Sequence, residues 1–128
     1  MPNYPHSHIT EKIIGCAYRV ANELGIGFLE KVYENALAHE MGKADLLFEQ
    51  QASIIVNYSG IVVGNYIADF LVENEVILEL KAIKNLEPFH FAQCMNYLRA
   101  TDKNIALLIN FGNPKVEIKR IVNGAHGL

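Results

Sequence analysis

The spacing of apolar positions changes several times along the chain, and each change marks an element. Ile9, Ile13, Cys16, Ala17, Val20 and Leu24 recur at helical spacing, which predicts a first helix capped by Ser7 or Thr10 and ended by Gly25-Ile26-Gly27. At ~100° per residue Leu29, Val32, Tyr33, Ala36, Leu37 and Met41 share one arc, so a second helix is expected from about Phe28 to Met41, stopped by Gly42. The period then shortens. Leu46 to Glu49, Ala52 to Tyr58 and Ile61 to Val72 read as strands, with Ser59-Gly60 as a hairpin turn and a bend at Gly64-Asn65. Glu73-Asn74-Glu75 is polar and turn-like, and Val76 to Ala82 is nearly continuously apolar, as in a strand buried on both faces. Pro88 opens a third helix to about Ala100, and two strands follow, Ile105 to Phe111 and Val116 to Val122, separated by Gly112-Asn113-Pro114.

A strand, a crossover helix and a strand form a βαβ unit with parallel strands, whereas the preceding hairpins are antiparallel. The expected class is therefore α/β, a mixed β-sheet flanked by helices with two helices at the N-terminus. A length of 128 residues suits a single domain over 1–128, with its core at about 9–123.

Charge enters this pattern at two places where it is costly. Asp69 interrupts Tyr66 to Val72, and Glu79 and Lys81 share one face of the otherwise apolar Val76 to Ala82 strand. A turn centred on Asn74 sets Asp69 opposite Glu79. Two carboxylates facing each other across a ladder repel, more strongly in apolar surroundings, and a divalent cation held by both with a lysine beside it would compensate. Ordinary charges on a solvated hairpin are the competing account, and the apolar run around Glu79 weighs against it.

On the second helix Glu30 and Glu34 border the apolar arc, where either could lean over the hairpin or simply complement the helix dipole and pair with a lysine. On the third helix His90, Gln93 and Tyr97 form one polar stripe; His90 reads as a helix-start residue and not as a base.

Composition narrows the field. Hydrophobic residues make up 51% and charged residues 20%, as in a soluble globular protein. No apolar stretch is long enough for a membrane span, and the N-terminal Met1 to His8 has no export signal, so the expected setting is cytoplasmic without membrane contact. Cys16 and Cys94 lack metal or redox spacing. A net charge of −3, from 11 basic and 14 acidic residues, gives no global attraction to nucleic acid, so any such binding needs a local basic patch.

Gly27-Phe28-Leu29-Glu30-Lys31-Val32-Tyr33 matches the signature of the GxxExxY proteins, and from about Ile9 to Asn123 the chain resembles that family, which is grouped with the PD-(D/E)xK nuclease superfamily. The resemblance implies a restriction-endonuclease-like core and a metal site of Asp69, Glu79 and the Leu80 carbonyl, completed by Glu34 or Glu30, with Lys81 orienting a water and stabilising charge. Ala68 stands where the superfamily pattern has proline. Gln93 to Tyr97 resembles the QxxxY element that borders the active site in RecB-type and phage lambda exonucleases, so Gln93, Tyr97 and the signature Tyr33 are expected to bind substrate. The implied activity is a Mg²⁺- or Mn²⁺-dependent phosphodiesterase acting on nucleic acid, DNA before RNA. The rival readings are a non-catalytic nucleic-acid-binding or interaction module on the same scaffold, and a homodimer formed by pairing of an exposed sheet edge.

Overall fold

A computed structural model of the chain describes residues 6–124. The export-signal reading at Met1 to Pro5 falls outside them. Eight elements follow in order: α1 (Ser7–Leu24), α2 (Glu30–Lys43), β1 (Phe48–Tyr58), β2 (Ile61–Val72), β3 (Val76–Lys81), α3 (Pro88–Thr101), β4 (Ile105–Asn110) and β5 (Glu117–Val122). The strands form one sheet in sequence order, antiparallel except for the parallel β3–β4 pair on either side of α3. The expected mixed sheet flanked by helices is thus observed. One face is covered by α1 and α2, which bury Ile13, Leu37 and Met41 against Phe70, Leu78 and Leu80; the other is covered by α3, whose Cys94 and Leu98 pack on Ile77, Ala106 and Leu108.

Several local expectations change. Neither Ser7 nor Thr10 caps α1: His6 occupies the cap position with no side-chain bond to the helix, and the buried Thr10 hydroxyl donates to the Ser7 carbonyl. α2 passes through Gly42 and stops at Asp45, whose φ of 60° lets Leu46 N–H reach the Met41 carbonyl and Asp45 N–H reach that of Gly42, a Schellman ending. Leu29 is 80% exposed because it caps α2 from outside, and Val32 also faces solvent, so the buried arc narrows to Tyr33, Glu34, Leu37 and Met41. Leu46 to Glu49 and Ala52 to Tyr58 are not two strands; from Phe48 they run as a single strand through Gln51. The bend expected at Gly64-Asn65 is a register shift at Val56/Asn57 that leaves Val63 unpaired.

Gly112 is fixed by close approach. A Cβ there would collide with the Ile83 backbone, which Asn110 grips from both sides, accepting from Ile83 N–H and donating to Ile83 C=O. This clamp holds the chain as it leaves Lys81.

Candidate active site

The β2–β3 ladder follows the register set by Asn74, pairing Val72 with Val76, Leu71 with Ile77 and Phe70 with Leu78, and then it stops. At the next position side chains replace the backbone rungs. Asp69 Oδ2 accepts the Leu80 N–H at 2.7 Å, and Glu79 Oε1 accepts the Asp69 N–H at 3.1 Å. The two acids thus interlock across the gap where β2 turns away from β3.

The turning away has a local cause. Gln50–Phe70 and Ala52–Ala68 are successive cross-strand pairs of β1 and β2, and neither Gln51 nor Asp69 between them is paired. Regular alternation would place both pairs on one face. Instead Phe70 lies in the α1/α2 core and Ala68 in the α3 core. Both strands exchange faces at Gln51 and Asp69. Gln51 does so with φ at 58°, a conformation costing about 1–2 kcal/mol for a residue with a side chain. The exchange aims Asp69 along the sheet plane at β3 and brings two consecutive glutamines to one carboxylate. Glu34 Oε2 accepts from Gln50 Nε2 at 2.6 Å and from Gln51 Nε2 at 3.0 Å, and Lys31 Nζ lies 3.0 Å from both Glu34 oxygens.

The electrostatics divide the acids. Burial, then the Asp69 charge, pushes Glu79 from its ordinary 4.5 up to about 8. Burial also raises Asp69, opposed by the Leu80 N–H and the Lys81 charge and reinforced by Glu34. Glu30 is raised by burial and by Asp69, with Lys81 opposing. Glu34 alone goes down: burial pushes it up, but the hydrogen bonds from Gln50, Lys31 and Gln51 outweigh that. These mutual influences place Glu30, Glu34, Asp69, Glu79 and Lys81 within electrostatic reach of one another.

On the α3 side Tyr97 borders the same acids. Burial, then the Glu79 charge, pushes its hydroxyl up to about 12, and the Cys94 thiol beside it likewise to about 12. Tyr97 lines a cleft of about 340 Å³ with Tyr66, Phe89, Gln93 and Asn96, which places the Gln93–Tyr97 stripe at its wall. His90 is not in the stripe's chemistry; its Nδ1 accepts the Glu87 N–H at 2.8 Å as half of a capping box.

Tyr33 is the one expected site residue placed elsewhere. It is fully buried, stacks on Phe111 with ring centroids 4.8 Å apart, donates its hydroxyl to the Gly25 carbonyl at 2.7 Å and accepts the Phe28 N–H. It therefore pins the α1–α2 loop and has no free face for substrate. Tyr33→Phe is expected to cost about 1 kcal/mol, read as a lower melting temperature, because the Gly25 carbonyl and the Phe28 N–H lose the hydroxyl they share while the ring stays packed.

An oxygen-only donor set suits a hard divalent cation. Asp69 and Glu79 each spend one oxygen on a backbone N–H of the neighbouring strand and have a second for an ion. The Leu80 carbonyl points to the same edge of β3 as its N–H, toward the gap. Among the described residues no group of three His, Cys, Asp or Glu side chains is arranged to hold an ion by itself. The fit is to a cation that keeps several waters, a habit of Mg²⁺. Glu34, expected as a further ligand, already carries Lys31 and two amides.

Gln50 and Gln51 were not among the sequence candidates. The signal was there: consecutive glutamines fell in the break between two apparent strands.

The sequence model of the PD-(D/E)XK nuclease superfamily matches residues 7–121. No curated protein matches the chain. Among solved structures, "Crystal structure of SSO0001" is similar with a TM-score of 0.57 and 18% identity, over 91% of this chain and 59% of that one. An alkaline exonuclease (LHK-Exo) from Laribacter hongkongensis is similar with a TM-score of 0.52 and 12% identity, over 91% of this chain and 84% of that one. The chain thus spans about three-fifths of the length of the first, and at these identities the likeness is one of fold.

Proposed function

The chain belongs to the PD-(D/E)XK nuclease superfamily, and from that premise we propose that it hydrolyses phosphodiester bonds in nucleic acid, DNA before RNA, with Mg²⁺ or Mn²⁺ held at Asp69, Glu79 and the Leu80 carbonyl. The observation that carries this reading is the Asp69–Glu79 interlock, in which a partly buried and a buried acid are fixed against each other with no ion pair to either among the described residues. Proteins tolerate that repulsion where it is used. A bound cation supplies charge neutralisation at the phosphate and a lowered pKa for the attacking water.

The chain's own residues do the rest. Asp69 is oriented by the Leu80 N–H and Glu79 by the Asp69 N–H, so neither needs to reorganise. Lys81, on the Glu79 face of β3, places an ammonium where charge develops on the phosphate. Glu34, locked by Gln50, Gln51 and Lys31, stays ionised and orients the water side of the site, while Glu30, raised by burial and Asp69, takes up a proton more readily. Gln93 and Tyr97 line the wall along which substrate lies.

The test is metal-dependent cleavage of single-stranded and duplex DNA and of RNA by wild type and by Lys81→Ala. Cleavage by wild type, lowered about 10²-fold in the variant, is expected. Equal activity in both, or none with either metal, counts against the reading, and binding without cleavage would favour the non-catalytic module.

A further inference from the structure

Beyond Asp69 the β1–β2 pair leaves the sheet as an arm, and the arm is unlike the rest of the surface. From Ala52 to Ala68 no residue is charged. Of the fourteen large apolar side chains exposed among the described residues, seven lie between Ile55 and Ile67, and at the tip Tyr58, Ile61, Val62 and Val63 are 60–71% exposed. β1 is the outermost strand of the sheet, so among the described residues its outer edge has no neighbouring strand. Edge strands in single-chain proteins usually carry lysines, prolines or other devices against pairing, and Ala52 to Val56 has none.

We propose that the protein pairs with a second copy of itself through this edge, β1 against β1 antiparallel about a two-fold axis near Ile54, with the tip of each arm seated at the root of the other. The stretch free to pair is bounded by the left-handed Gln51 at one end and the register shift at Val56/Asn57 at the other, which centres it on Ile54. At the root of β1 lies a cleft of about 340 Å³ lined by Leu47, Phe48, Glu49, Leu71, Glu73 and Asn74, with Leu47 75% exposed. With the axis at Ile54, Tyr58 falls opposite Gln50 and the Ser59-Gly60 turn opposite Glu49 and Phe48, while Ile61 lies beside Tyr58 as its cross-strand partner. An antiparallel twin therefore carries the tip of one arm to the root cleft of the other, twice, which is the self-complementarity an isologous interface requires. Nucleic acid fits the outer edge and tip of the arm poorly, because they offer no cation to a phosphate. A charged peptide finds no counter-charge on it either.

The test is sedimentation velocity of wild type, Ile61→Glu and Leu47→Lys from micromolar to submillimolar concentration. Wild type is expected to be dimeric. Each variant alone is expected to weaken association by about tenfold or more, the first by setting a carboxylate against Glu49 and Glu73, the second by burying an ammonium under an apolar tip. An equimolar mixture of the two is expected to regain the dimer, because one contact then joins the introduced carboxylate to the introduced ammonium and the other is wild type on both sides. Both positions are more than half exposed in the single chain, so circular dichroism should not change. Amide exchange of Ala52 to Val56 in wild type, slower at high than at low concentration, gives the same answer without a variant. A monomeric wild type, a dimer indifferent to both variants, or a mixture that stays monomeric overturns the proposal.

Discussion

Asp69→Asn is expected to leave the fold intact and abolish metal-dependent cleavage, a loss of about 10³-fold or more. The asparagine side-chain oxygen can still accept the Leu80 N–H, so the clamp between β2 and β3 survives while the anionic ligand is gone. Asp69→Ala loses both, and the buried Leu80 N–H left unpaired adds about 1–3 kcal/mol of destabilisation. Thermal melts separate the two variants and cleavage assays do not. Wild-type turnover by either would mean that the phosphate is activated elsewhere.

The metal-free protein is expected to lose stability as pH rises toward 8. Glu79 in the folded chain is raised from 4.5 to about 8, so between those values the native state holds a proton that the unfolded chain has already released. Stability from this group is complete below 4.5, falls through the window, and is spent above 8, a change of a few kcal/mol. Asp69 and Glu30, also raised, act in the same sense; Glu34, lowered, acts oppositely and only on acidification through the ordinary carboxylate range. Urea melts in a chelator on both sides of the window measure it, with Glu79→Gln expected to flatten the slope. Adding Mg²⁺ at the alkaline end should restore stability, since the ion binds only the native arrangement. A slope identical in Glu79→Gln would assign the effect to another group.

Much of the site was legible because it follows from a rule of alternation and a turn. Placing the turn at Asn74 was enough to fix the Phe70–Leu78 register and hence the meeting of Asp69 with Glu79. The parallel β3–β4 pair followed from the length of the crossover through α3. What could not be read is where alternation breaks. Gln50 and Gln51 looked like solvent residues between two strands, because the face exchange at Gln51 depends on a carboxylate from α2 that is 17 residues away in sequence. Helix periodicity likewise assigned Leu29 and Val32 to the core, since it sees the phase of a helix and not the extent of its cover. Tyr33 was read from the company it keeps in a signature, and its partners, Gly25, Phe28 and Phe111, show it serving the loop.

That division of labour reaches into how such chains diverge. Gly27, with φ at 105°, and Tyr33 are both required by the shape of one bend, whereas Glu30 is the member of the triplet that feels the acids. A descendant that abandons hydrolysis keeps its mechanical reasons for the outer two letters and loses any for the middle one. Presence of the glycine and tyrosine therefore certifies architecture alone, and the glutamate between them is the letter that reports on the acids.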